Sequence, residues 1–171
     1  MKNTVVSSRP WVIIPIETKA RELHAKILLA CIAAEKGWGV ILGEATTIRD
    51  KQQYFPQGVF LEKSIHPGTE KLIKKSISYG NRVSAWCEEG LIYYGPDDYC
   101  ERRLNIESFD MIDFFFAWGK NQADDITATL NRPKNKIVLT GNPRFDLLRK
   151  EVRGIFSTNA AKIRLKYGPI I

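Results

Sequence analysis

Short apolar runs recur along the chain, and the segments between them repeat their apolar positions at helical spacing. Residues 11–16 (WVIIPI) are the first such run and predict a strand, with Pro15 tolerable near its end. Residues 19–36 predict a long helix. Leu23, Ile27, Cys31 and Ala34 share its inner face, Lys19, Arg21, Glu22 and Lys26 are polar, Thr18 caps it and Gly37 ends it. Residues 39–42 predict a second strand closing on Gly43 and Glu44, and Thr46 or Thr47 begins a short helix that carries Arg49. Residues 59–65 predict a third strand. Pro67-Gly68-Thr69 then turns into a helix over residues 70–79, with Leu72, Ile73, Ser76 and Ile77 inward.

Residues 83–87, short and apolar between Gly80 and Gly90, predict a fourth strand buried on both faces. Residues 93–105 are polar and aromatic-rich and read as an irregular functional loop. Residues 111–118 (MIDFFFAW) predict a fifth strand, 122–130 a helix, 136–140 a sixth strand and 144–150 a further helix. Ser157 or Thr158 caps a basic helix over 159–166, and Ile170-Ile171 reads as the start of another strand. Strands alternating with helices predict an α/β fold, a doubly wound, mostly parallel Rossmann-like sheet. Residues 1–150 are expected to form this domain. Residues 151–171 would be a linker helix and the beginning of a second domain, so that the chain is the front part of a larger architecture.

Composition narrows the partner more than the reaction. With 44% apolar and 26% charged residues the chain is an ordinary globular one, and its net charge of +7 suits an anionic partner. No apolar run reaches the roughly eighteen residues of a membrane span and no signal-peptide core is present, which predicts a cytoplasmic protein. The basic residues 162, 164 and 166 read as a solvated face, with a peripheral contact to the inner membrane surface as the further expectation. Cys31, Cys87 and Cys100 lack CxxC spacing and there are two histidines, so neither disulfides nor zinc are suggested, and Cys31 and Cys87 are expected in the core. No GxGxxG follows the first strand and no GxxxxGK[ST] occurs. No Asp-x-Asp occurs either, and no essential metal or cofactor is expected. Without an RNP, helix-turn-helix or zinc signature, no nucleic-acid partner is expected.

The candidate chemistry lies where strands end. In an open α/β sheet, ligands bind outside the carboxyl ends of the strands, which places Glu88, Glu89 and Gly90 at the crevice. Successive side chains of an extended segment point to opposite sides, so one of the two glutamates is expected to take the chemical role. Glu89 is the first choice because it stands further past the strand, before a Gly90 that would leave room for a ligand, and Glu88 the second. Glu17, Thr18, Lys19 and Arg21 close the first strand at a helix start, a setting that favours an anionic group. Gly43, Glu44 and Arg49 hold the equivalent place after the second strand, and Gly141, Asn142 and Arg144 after the last, where Arg144 can hold a phosphate or carboxylate. Each of these also has a plainer reading as a cap, turn or solvated charge.

The run VIIPIETKARELHAKILLACIAAEKGWGVILGE, the EEG after the fourth strand and VLTGNPRFDLLR resemble the N-terminal half of bacterial surface carbohydrate biosynthesis proteins. These are two-domain glycosyltransferases of the GT-B type, distantly similar to capsule Kdo transferases and polyglycerolphosphate transferases. The resemblance implies an N-terminal acceptor-side domain whose glutamate after the fourth strand acts as base or nucleophile. It also implies a nucleotide-sugar donor, CMP-linked sugars included, and a glycan or lipid-linked acceptor. A catalytically silent module that binds an anionic glycan or lipid-linked acceptor is the alternative.

Overall fold

The computed structural model describes residues 9–168. Six strands, β1 (Trp11–Ile16), β2 (Gly39–Glu44), β3 (Val59–Glu62), β4 (Arg82–Trp86), β5 (Phe114–Ala117) and β6 (Ile137–Leu139), form one sheet in the order β2-β1-β3-β4-β5-β6. Every pairing is parallel. The strands are joined by α1 (Lys19–Glu35), α2 (Ala45–Lys51), α3 (Glu70–Ser78), α4 (Pro96–Arg103), α5 (Ile106–Met111) and α6 (Lys120–Leu130), and α7 (Pro143–Asp146) and α8 (Ser157–Tyr167) follow β6. This is the expected doubly wound, Rossmann-like architecture, with its winding reversed between β1 and β3.

Register sorts the side chains into two cores. Ile13, Phe60 and Val83 stand in one row across β1, β3 and β4, and Ala85, Phe115 and Ile137 in another across β4, β5 and β6. On this face they meet Ile48 of α2, Ile73 of α3, Tyr99 of α4, Phe109 of α5 and Ile126 of α6. Burying each large apolar side chain contributes about 1.5–3 kcal/mol. On the opposite face Val12, Ile14, Leu61 and Trp86 pack against Leu29, Ala30 and Ala33 of α1. Past α1 this face opens, and Phe114 is 41% exposed.

Several expected elements are corrected. Helix α1 turns Ala25, Leu29, Ala30 and Ala33 to the sheet, while Ile27, Cys31 and Ala34 face outward. Its three alanines let it sit close, and Glu22 and Lys26 on the same side are drawn over the strand ends by ion pairs. Cys31 is therefore exposed, whereas Cys87 is buried as expected. Strand β3 stops at Glu62, and Ile65 beyond it makes a separate bridge to Leu104. The segment expected to be irregular contains α4, begun by Pro96 with Asp97 and Asp98 in its first turn and Arg102 and Arg103 in its last. Strand β5 starts only at Phe114, because Met111 ends α5 and Asp113 accepts hydrogen bonds from Arg82 and the Val83 amide. The inner face of α3 is Ile73 and Ser76; Leu72 and Ile77 are exposed. The helix expected over 144–150 is the four-residue α7, and Ser157 and Thr158 lie inside α8 without capping it. The strand expected at Ile170-Ile171 lies outside the described residues.

Candidate functional site

The carboxyl edge of the sheet collects a charged network that no single strand could hold. Glu22, 1% exposed at the start of α1, accepts hydrogen bonds from the Glu17 and Thr18 amides at 2.9 and 3.0 Å. It thereby fastens the turn before the helix, while the Thr18 hydroxyl, expected as the cap, makes no capping bond and accepts from the Arg21 guanidinium instead. Burial pushes the Glu22 carboxyl up, but the Lys26 ammonium and the two amides outweigh it and hold it below the usual value. Lys26 Nζ donates to Glu22 Oε2 and the Pro15 carbonyl, each at 2.7 Å, and lies 3.0 Å from Glu88 Oε1. Trp86 Nε1 donates to the same Glu88 oxygen at 2.9 Å.

Glu88 and Glu89 are adjacent in sequence and opposite in circumstance. Glu88 is 5% exposed, and its Oε2 is buried without a hydrogen-bond partner. Glu89 stands at the rim, with Arg21 at 3.0 Å from one oxygen and Arg103 at 2.9 Å from the other. The Arg103 hydrogen bond, with Arg21 and Lys63 adding to it, holds the Glu89 carboxyl below the usual range. A carboxylate held in this way is a weak proton acceptor at neutral pH.

A cleft of about 430 Å³ lies against this pair, lined by Glu88, Glu89, Leu91, Trp118, Arg144 and Phe145, among others. Trp118 follows β5 and donates its indole N–H to the Cys87 carbonyl at 2.7 Å, and the Phe145 ring meets it edge-on with centroids 5.4 Å apart. Arg144 reaches across from α7 and donates to the Glu88 carbonyl. A second hollow of about 560 Å³ continues along the other side of Trp118 to the start of α6. The size and the mixture of aromatic walls with a few polar groups are those of a small-molecule site.

The other expected residues fall into different places. At the point of reversal between β1 and β3, the usual ligand crevice, Glu17 and Lys63 form an ion pair of 2.6 Å. The cleft is instead displaced toward β4, β5 and β6. Thr18 and Lys19 remain exposed at the edge, and Arg21 turns to Glu89. Glu44 caps α2, its two oxygens accepting from the Thr46 and Thr47 amides, and the Thr47 and then the Thr46 amide lower its pKa to about 2. Gly43 pairs with Pro15 within the sheet, and a Cβ on it would meet Ile48 at 3.5 Å. Arg49 pairs with the buried Glu62, whose carboxyl is raised by burial despite that guanidinium. Gly141 takes a left-handed turn with φ 75° and Asn142 caps α7 through its Oδ1. Gly90 is needed for a different reason from the one expected. A Cβ there would lie 2.7 Å from Cys87 Sγ and 2.8 Å from the Tyr99 ring, so its bareness admits Tyr99 rather than a ligand.

Lys26, Glu22, Trp86, Arg103 and Trp118 were not singled out by the sequence. The spacing of Glu22 and Lys26, one turn apart, and the Trp-Gly that follows β5 are signals that could have found Glu22, Lys26 and Trp118. Among the described residues no three carboxylates, histidines or cysteines gather as a metal site, and no helix is long and apolar enough to cross a membrane. Comparison with family models, with characterised proteins and with solved structures gives no match.

Proposed function

We propose that this chain is the acceptor-side domain of a glycosyltransferase acting in bacterial surface polysaccharide synthesis, with a nucleotide-activated sugar as donor and a glycan or lipid-linked acceptor. The observation that carries the reading is a cleft at the carboxyl edge that places two carboxylates beside an indole and a guanidinium. Glycosyl transfer to a hydroxyl asks for a carboxylate to take the acceptor proton or to attack the anomeric carbon, and flat apolar surfaces hold the ring while it does so. Glu88 and Glu89 are the carboxylates in question, and Arg144, donating to the Glu88 carbonyl, is the cation on the same cleft wall.

The test is product formation, followed by mass spectrometry, when the protein is incubated with nucleotide-sugars and glycan acceptors. Replacing the reacting carboxylate by glutamine lowers the rate about a hundred- to ten-thousand-fold with the fold intact by circular dichroism. Transfer by Glu88→Gln and Glu89→Gln both equal to wild type would end the assignment. A second reading, a binding module without turnover, is favoured by the paired state of Glu89. Saturable glycan binding without transfer from any activated donor would select it.

A further inference from the structure

The proposed acceptor cleft contains a hydrogen-bonding need that defines its ligand more closely. Oε1 of Glu88 is taken by Lys26 and Trp86, while Oε2 is buried and has no partner. An unpaired carboxylate oxygen in such a place is destabilising until a donor reaches it. Glu88 lines the cleft, so the cleft is the side from which a donor would reach it.

Charge decides what kind of donor fits. Around Glu88 the carboxylates of Glu22 and Glu88 share the Lys26 ammonium, and the Arg144 guanidinium stands beside them, donating to the Glu88 backbone carbonyl. Two negative charges meet two positive ones, so the unmet requirement is for one hydrogen bond and not for a counter-ion. A ligand ammonium or carboxylate would upset this balance; a neutral hydroxyl would not. The opposite wall presents Trp118, Phe145, Leu91 and Leu148, surfaces suited to the C–H face of a sugar ring. The arginines nearest the rim, Arg21 and Arg103, already hold an anion, the side chain of Glu89.

On the basis of the glycosyltransferase reading, we propose that the cleft binds an uncharged sugar, one of whose hydroxyls donates to Glu88 Oε2 while the ring lies on Trp118, and that Glu89 fills the anion site that would otherwise select acidic sugars. The ligand class is therefore a neutral hexose or N-acetylhexosamine end of a glycan.

Isotope-labelled protein titrated with the methyl glycosides of glucose, galactose, mannose and N-acetylglucosamine, each set against methyl glucuronide and N-acetylneuraminate, tests this. The Trp118 indole N–H resonance reports the site. At least one neutral glycoside is expected to shift that resonance saturably and to bind more tightly than either acid. Glu88→Gln weakens it about ten- to a hundredfold, the worth of a hydrogen bond to a charged group. Because that variant disturbs a buried ion pair, Trp118→Leu provides the second measurement and also abolishes stacking, read by saturation transfer to the sugar ring. In Glu89→Gln, with Arg21 and Arg103 released, the uronate gains affinity several-fold. Tighter binding of the acids in wild type overturns the inference and leaves the glycosyltransferase reading standing. Failure of every sugar to perturb Trp118 overturns the inference, and transfer activity then decides the broader reading separately. Binding unaffected by both Glu88→Gln and Trp118→Leu places the ligand elsewhere and overturns it as well.

Discussion

Two regions meet at the end of β4, and the same residue types behave differently in each. Inside, Glu22, Lys26 and Glu88 are nearly inaccessible and are joined by ion pairs of 2.7 and 3.0 Å under α1. Outside, Arg21, Glu89 and Arg103 form pairs of 3.0 and 2.9 Å with side chains more than a third exposed. The distances are alike, yet the surroundings are not. Buried charges cannot return to water when a partner is removed, so the inner group is fixed once the helix has packed. The outer pairs compete with solvent and salt, and they can exchange one anion for another.

Removing the central cation gives the largest separation between the two. Lys26→Met leaves Glu22 and Glu88 without their shared ammonium and is expected to lower stability by about 3–5 kcal/mol, measured by urea unfolding. A loss no greater than that of Arg21→Ala would erase the distinction. Gly90→Ala, at the joint between the two regions, pushes a methyl group toward Cys87 Sγ and the Tyr99 ring. Overpacking of this kind costs about 1–3 kcal/mol. An unchanged denaturation midpoint would show that Tyr99 has room to retreat.

At the rim the expected effects are small. Arg103→Ala should change stability by about 0–1 kcal/mol, and less in high salt. A salt-independent loss of several kcal/mol would mean that the rim is as closed as the interior. The smallest effect concerns acid. Glu89 has a folded-state pKa below its ordinary value of 4.5, so its contribution is present above that value and is lost as the pH falls through the lower folded value. Glu44 follows the same sign, from 4.5 down to about 2. The stability difference between wild type and Glu44→Gln should therefore be constant above pH 5, on the order of the ordinary carboxylate range, and shrink below it. A difference that grew on acidification would reverse the assignment of the cap.

Much of the scaffold was legible because its signals are local. The run WVIIPI is β1 at both ends, since an apolar stretch bounded by charged residues has one economical place in an α/β sheet. Glycine set the turns at Gly37 and Gly80 in the same way. The face of α1 was not legible. Leu23, Ile27 and Cys31 recur at one helical spacing and Ala25, Leu29 and Ala33 at another, and a sequence contains nothing that chooses between two such stripes. The buried face is the one that carries Lys26, whose partner Glu88 is 62 positions away in sequence. The strand-end location of Glu88, Glu89 and Arg144 could likewise be read in advance, whereas Arg103 could not, because it reaches Glu89 from the last turn of α4, in a segment that reads as irregular.

The sequence by itself determined the alternation of strands and helices, hence a parallel sheet and the edge at which polar residues gather. Those features follow from periodicity and backbone chemistry over a few neighbouring residues. Only the tertiary structure decided which of the charges at that edge would be spent on one another. It buried Glu88 beside Lys26, gave Glu89 to two arginines, and closed the crevice between β1 and β3 with Glu17 and Lys63. Ion pairs and clefts are made between residues that chain connectivity does not relate, and their strength depends on how much water the surrounding packing excludes.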